Sequence, residues 1–163
     1  MTARASLDAG LDPAAHRRLA VDLFNHVWAL LEIADRTTAQ VDEMIHAAHA
    51  SVHHWSFAGT TVNLARGEWQ CSRVYAVLGR AEPALWHARR SLAYAESATA
   101  AGQAEAWDVP SAQEAMARAH AVAGDRAEAE RWRALALDGL TRVEDLEDRR
   151  QIEQDLATHG ELA

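Results

Sequence analysis

The amino-acid sequence predicts an all-α fold, built as three antiparallel helical hairpins stacked in a short array and followed by a C-terminal helix. Alanine, the strongest helix former, occupies 37 of the 163 positions, whereas isoleucine, a typical strand residue, occurs only three times. Proline also occurs only three times and stands where helices would begin. We therefore expect a single helical domain over residues 1–163, with about the first 11 residues flexible.

Capping residues, prolines and glycines divide this domain into seven predicted helices. Asp12 and Pro13 form an N-cap followed by a first-turn proline, and Pro83 and Pro110 open later helices. Turns are expected at Asp35, Gly59, Gly79, Gly102 and Gly124. The helices should cover about residues 13–34 (with apolar periodicity from 19 to 34), 38–57, 61–79, 82–101, 108–124, 127–140 and 144–158. Because the connections are short, consecutive helices should pack as antiparallel hairpins.

Two of the predicted hairpin turns repeat in sequence. Residues 75–84 (YAVLGRAEPA) align with residues 120–129 (HAVAGDRAEA), which lie 45 positions later. In both segments a glycine follows the first residue by four positions, and an alanine comes five positions after the glycine. The second half of the tetratricopeptide repeat has this order of residues. The spacing exceeds the usual period of about 34 residues, so we expect hairpins with longer helices than the consensus repeat.

Longer segments resemble a known group of proteins. The similarity is to small uncharacterised bacterial proteins usually labelled tetratricopeptide-like (TPR-like), and it covers most of residues 22–158. It is carried by HAAHAS (46–51), VNLARGEWQ (62–70), SRVYAVLGRAEPAL (72–85) and ARAHAVAGDR (117–126). The resemblance implies a TPR-like array and no particular activity. Repeat arrays of this kind mostly serve as interaction scaffolds.

Composition excludes several classes of function. The net charge is −8, so a nucleic-acid partner is not expected. The chain contains no lysine, and it has no phosphate-binding glycine loop. We therefore expect neither a pyridoxal phosphate (PLP) nor a nucleotide cofactor. The single Cys71 and the absence of a signal peptide or a long apolar run predict a cytoplasmic protein without a membrane partner.

A stripe of metal-binding residue types follows the second predicted helix. Asp42, His46, His49 and His53 are spaced i, i+4, i+7 and i+11, and they share a face about 60° wide. Helical histidines three or four residues apart suit a divalent metal, here zinc or iron. Histidines on the edge of a helix also serve as ordinary packing or hydrogen-bonding groups, so both interpretations stay open.

Glu68 is the most informative single residue of the third predicted helix. It falls in the middle of the apolar face formed by Leu64, Cys71 and Tyr75. A buried carboxylate must be paired, protonated or metal-bound, because an unpaired buried charge costs several kcal/mol. Glu68 is therefore predicted to be paired with an arginine or a tyrosine hydroxyl, to be a fifth metal ligand, or to be a general base with a raised pKa.

These observations leave three functions open. The first is a TPR-like binding module for a peptide, a protein or a small molecule, with a divalent metal on the histidine-rich helix. The second is a small metal-dependent enzyme that uses Glu68 as base or ligand, and the third is a purely structural scaffold; a homodimer is compatible with each. The six tryptophans occur about once per helix or junction, and one or two of them are expected to line a groove.

Overall fold

A computed structural model describes residues 10–158, which form seven α-helices without a β-strand. The helices are α1 (Pro13–Leu31), α2 (Thr38–Ala58), α3 (Thr61–Val77), α4 (Ala81–Ala100), α5 (Asp108–Val122), α6 (Arg126–Leu140) and α7 (Leu146–Ala157). The all-α prediction is confirmed, and most helix ends lie within a few residues of the expected positions. The expectation of a flexible segment over about residues 1–11 falls largely outside the described residues.

The helices pack as three successive hairpins, α1 with α2, α3 with α4, and α5 with α6. The first helices of the hairpins, α1, α3 and α5, also contact their neighbours in the series, and we call them the inner helices. Within residues 10–158 the backbones of the outer helices α2, α4 and α6 stay apart, with no pair of Cα atoms within 8 Å. α7 packs against α5 and α6 and completes the predicted arrangement of three hairpins plus a C-terminal helix.

The repeated sequence segments form equivalent turns. Gly79 and Gly124 have φ of 68° and 75°, a left-handed conformation that glycine adopts without strain. At the first turn Arg80 N donates to the Tyr75 carbonyl at 2.9 Å, and at the second Asp125 N donates to the His120 carbonyl at 3.0 Å. These bonds close each inner helix in the same way before the outer helix begins.

Side-chain caps define where several helices start. Asp12 accepts a hydrogen bond from Ala15 N at 2.6 Å, directly before the first-turn proline of α1. Thr37 and Gln40 form a reciprocal capping box at the start of α2. At α7 the Asp145 carboxylate accepts from two backbone N–H groups of the first turn, at 2.8 and 3.1 Å. Each cap satisfies donors that a helix start otherwise leaves without partners.

Small side chains allow the helices to approach closely. Between the second and third hairpins the core consists mainly of alanines, among which Ala84, Ala88 and Ala115 are fully buried. Between the first and second hairpins, a Cβ on Gly67 would lie 2.8 Å from a Val52 methyl group, so a side chain cannot be added there without displacing α2. The high alanine content thus has two effects: it favours helix formation, and it allows a short distance between packed helices.

Cys71 lies in the core between the first and second hairpins and is 1% exposed. Burial raises the pKa of its thiol, with a smaller contribution from the Glu68 charge. The thiol is therefore protonated at neutral pH and serves as packing. Among the described residues, no helix has the length and apolar character needed to cross a membrane.

The turn at Gly79 gives a stability prediction. A Cβ at this position would meet nothing within 4 Å, so Gly79→Ala tests the backbone conformation alone. We expect it to lower the free energy of unfolding by about 1–2 kcal/mol, measured by urea denaturation, because alanine is strained at positive φ. Gly10→Ala is the matched control, since it also adds a Cβ in open space but lacks a positive φ. Equal stability of the two variants would contradict the prediction.

Candidate functional site

The predicted metal stripe lies on the outer helix α2, where its four residues are largely exposed. His49 turns toward α3, and its Nε2 lies 2.9 Å from the Tyr75 hydroxyl oxygen. His53 instead contacts the rings of His54 and Phe57 edge-on. The structure thus directs two members of the stripe to different neighbours, and it places His49 against the adjoining hairpin.

Glu68 is 6% exposed and is paired with two side chains of α4, His87 and Arg90. His87 Nδ1 donates to its Oε2 at 2.6 Å, and Arg90 Nε donates to its Oε1 at 3.2 Å. Burial alone would raise the pKa of Glu68, but the His87 and Arg90 interactions outweigh it and lower the pKa. The expected pairing with an arginine is confirmed, and the raised pKa expected for a general base is wrong because two donors stabilise the charged carboxylate.

His87 joins Glu68 to the histidine stripe. Its ring stacks on Tyr75 at an interplanar angle of 8° and lies 5.1 Å from the ring of His49. We call Glu68, His87, Arg90, Tyr75 and His49 the Glu68 cluster. Burial makes the largest contribution to lowering the pKa of His49, and the nearby His87 makes the second largest. The sequence-predicted residues His49 and Glu68 therefore belong to one cluster, but each is already engaged by other side chains.

A metal centre has no geometric support in this part of the chain. Within residues 10–158, no group of three or more His, Cys, Asp or Glu side chains is placed to hold a metal ion. Asp42 and His46 remain exposed on α2, and both oxygens of Glu68 accept hydrogen bonds from α4. The zinc or iron site stays a prediction.

A pocket of about 580 Å³ opens on the inner side of the array. It lies among the inner helices and α7, with a contribution from α4, and we call it the inner pocket. Its lining consists of Phe24, Trp28, Ala65, Arg66, Trp69, Ser91, Trp107, Asp108, Ser111, Asp148, Gln151, Ile152 and Asp155. The residues from α7 follow the spacing i, i+3, i+4 and i+7, so a single face of this helix forms one wall.

Four aromatic rings form a second part of the wall. The rings of Trp28 and Trp69 are tilted against each other at 5.7 Å, and Phe24 meets Trp28 edge-on at 6.4 Å. Trp107, just before α5, lies on the other side. All four rings are half-buried, so each packs against the protein on one side and borders the pocket on the other.

Arginine–aspartate pairs hold the aromatic wall in place. Arg66 on α3 makes a two-bond pair with Asp108 of α5, at 2.8 and 3.1 Å. Arg73 donates to Asp155 of α7 at 2.7 Å. Both aspartates are buried, at 4% and 6% exposure, whereas the arginines are partly exposed. Such two-bond, charge-assisted contacts fix the orientation of the groups they join.

A further buried pair lies behind the aromatic wall. Arg118 and Glu114, both on α5, form an ion pair, and Trp69 Nε1 donates to Glu114 Oε2 at 3.1 Å. Burial lowers the pKa of Arg118, and the Glu114 charge acts against this effect. The indole of Trp69, which lines the inner pocket, is thus anchored at its polar edge.

Sequence reasoning anticipated part of this site. It expected one or two groove-lining tryptophans, and three of the six line the inner pocket. A signal for the wall was present in α3, because Arg66, Trp69 and Arg73 are spaced i, i+3 and i+7 and so share one helix face. Their partners Asp108 and Asp155 are 42 and 82 residues away, beyond what helical spacing reveals.

Comparison of the chain with family models, curated protein sequences and solved structures finds no match. The function is therefore argued from the geometry of the inner pocket and the Glu68 cluster.

The Glu68 cluster gives a pH-dependent stability prediction. The folded-state pKa of Glu68 lies below its ordinary value of 4.5. Its stabilisation is therefore complete above that value and is lost as pH falls through the folded-state pKa. We expect Glu68→Gln to lower the free energy of unfolding by roughly 1–3 kcal/mol at pH 7. The difference from wild type should shrink in acid below pH 4.5, as measured by chemical denaturation across pH.

Glu43→Gln is the matched control for this experiment. Glu43 also pairs with a histidine, His26, at 2.8 Å, but the side chains are 56% and 44% exposed. Exposed pairs contribute about 0–1 kcal/mol, so this variant should stay close to wild type. Equal losses in both variants, or a Glu68→Gln loss that does not change with pH, would contradict the role assigned to Glu68.

The metal hypothesis is tested by elemental analysis. If Asp42, His46, His49 and His53 bind zinc or iron, protein purified without a histidine tag should carry near-stoichiometric metal. His49→Ala should then reduce metal content more than His54→Ala, because His54 instead pairs with His16, at 2.8 Å between the two Nδ1 atoms. Metal-free protein that takes up neither ion on dialysis would end the hypothesis.

Proposed function

We propose that this protein is a binding module that holds a small organic molecule in the inner pocket. The observation that carries the proposal is a cavity of about 580 Å³ with four aromatic rings in its wall. Pockets for small molecules usually have about 300–1,000 Å³, mainly apolar walls and a few placed polar groups. Ser111, Gln151 and Asp148 supply such polar groups here.

The position of α7 favours a small molecule over an extended peptide. α7 packs against α5, and its Asp155 reaches across to Arg73 of α3. The helix thus runs along the inner side of the array, where an extended peptide would otherwise bind. A compact ligand fits the enclosed space that remains between α7 and the inner helices.

The hydrogen bonds and the lowered pKa of Glu68, the candidate general base, favour binding over catalysis. Both carboxylate oxygens of Glu68 accept hydrogen bonds, and the net effect of its surroundings lowers its pKa. A general base that works near neutral pH needs a pKa close to the working pH. The metal-dependent enzyme considered from the sequence therefore has less support than a binding module.

The proposal applies to one copy of the chain acting in the cytoplasm. We propose binding by a single copy, since the described residues that line the inner pocket belong to one chain. The free, buried Cys71 is in keeping with a reducing compartment.

A pocket-filling variant tests the proposal. Ser111 lines the inner pocket, and Ser111→Phe would place a ring inside it. The probe is N-phenyl-1-naphthylamine, an uncharged dye whose fluorescence rises in apolar sites. We expect saturable binding to wild type, and weakening of about tenfold or more in Ser111→Phe, because steric overlap costs about 1–3 kcal/mol. Fluorescence titration measures both affinities.

Ser97→Phe is the matched control, since Ser97 is exposed on α4 and lies outside the inner pocket. It should bind the dye as wild type does. Absence of saturable binding to wild type, or equal weakening in the two variants, would contradict the proposed site.

A further inference from the structure

The charges that line the inner pocket do not cancel. Among residues 10–158 the lining contains three carboxylates, those of Asp108, Asp148 and Asp155, and one guanidinium, that of Arg66. Arg66 is committed to Asp108 by two hydrogen bonds, and Asp155 is matched by Arg73. One carboxylate, that of Asp148, is left in excess in a protein whose net charge is already −8.

Asp148 faces the pocket without a cationic partner. Its carboxylate makes no hydrogen bond or ion pair with the other described residues 10–158, although its backbone N–H is capped by Asp145. The pKa of Asp148 is raised, first by burial and next by the nearby carboxylates of Asp145 and Glu147. These effects together exceed the lowering of the pKa by Arg66. Asp148 therefore adds a carboxylate without an ion-pair partner to the pocket lining, and a bound cation would be attracted to it.

The aromatic wall already holds cationic groups of the protein. Tryptophan faces attract positive charge through the ring quadrupole. This wall already shows the preference, because Arg66 lies 4.2 Å from the Trp107 ring centroid. Arg73 likewise lies over Trp28 and Trp69, at 5.3 and 5.5 Å. Arg118 also lies over Trp69, at 5.6 Å, so the protein's own guanidinium groups occupy these ring faces. The rings are therefore left to contact the apolar body of a ligand, and its charged head group is left to Asp148.

We propose that the ligand of the inner pocket is a small organic cation, with an ammonium or guanidinium group directed at Asp148 and an apolar body against the tryptophans. This inference rests on the proposed function, and it adds the chemical class of the ligand. Charge complementarity and the aromatic wall act together: the rings bind the body of the ligand, and Asp148 selects the sign of its head group.

The test uses three probes that share one apolar body and differ in charge. They are 4-phenylbutylammonium, 4-phenylbutan-1-ol and 4-phenylbutanoate, titrated into the full chain by calorimetry at low salt. We expect the ammonium to bind most tightly, the alcohol less tightly and the carboxylate least. Asp148→Asn should weaken the ammonium by about five- to tenfold and leave the alcohol unchanged, because only a charged head group interacts with the carboxylate.

Glu147→Gln is the matched control, because Glu147 also places a negative charge in the first turn of α7 but does not line the pocket. It should retain the preference for the ammonium, and circular dichroism should show both variants folded. If all three probes bind alike, or the carboxylate binds best, the cation inference falls while the proposed binding function stands. If none binds at millimolar concentration, both fall.

Discussion

The guanidinium of Arg73 joins three parts of the molecule that are far apart in the sequence. Arg73 belongs to α3. Its guanidinium lies over the ring of Trp28 of α1 and donates a hydrogen bond to Asp155 of α7 at 2.7 Å. α7 has no backbone contact with α1 or α3, so this side chain ties it to the centre of the array. The pair is partly buried, with Arg73 21% and Asp155 8% exposed, so removing either partner should weaken the docking of α7. The inner pocket depends on this pair, because α7 forms one of its walls.

Arginine suits this task better than lysine would. A guanidinium can stack on an indole face and donate in its own plane at the same time, whereas an ammonium is a point charge. Arg66 does both, with Trp107 on its face and Asp108 at its edge. The absence of lysine, which the sequence analysis used only to exclude chemistries, thus corresponds to a structure in which arginines organise the aromatic wall.

The sequence predicted local structure well because its signals are local. Gly79 and Gly124 close their helices at positive φ, as the repeated segments indicated, and the caps at Asp12 and Thr37 start helices where expected. The candidate site was only partly predictable. Helical spacing identified Glu68 as a buried carboxylate in need of a partner, and the structure supplies one from α4.

What helical spacing could not predict is the contact between separate helices. Asp108 reaches Arg66 and Asp155 reaches Arg73 only because α5 and α7 dock where they do. In the same way, His87 lies beside Glu68 because of how α4 packs against α3. The histidine stripe shows that residues on one helix face need not share a site. Spacing placed its four residues on one side of α2, but the neighbouring helices decide that His49 meets Tyr75 while His46 stays exposed.

The attachment of α7 also has a consequence for how the chain opens. Its apolar side rests on a small separate core, in which Ile152 and Leu156 meet Leu140 and Val143, and its backbone contacts only α5 and α6. Elements with few contacts exchange their amide hydrogens through local opening rather than global unfolding. α7 is therefore the element expected to open locally while the three hairpins stay folded, so its amide hydrogens should exchange faster than those of the hairpin helices.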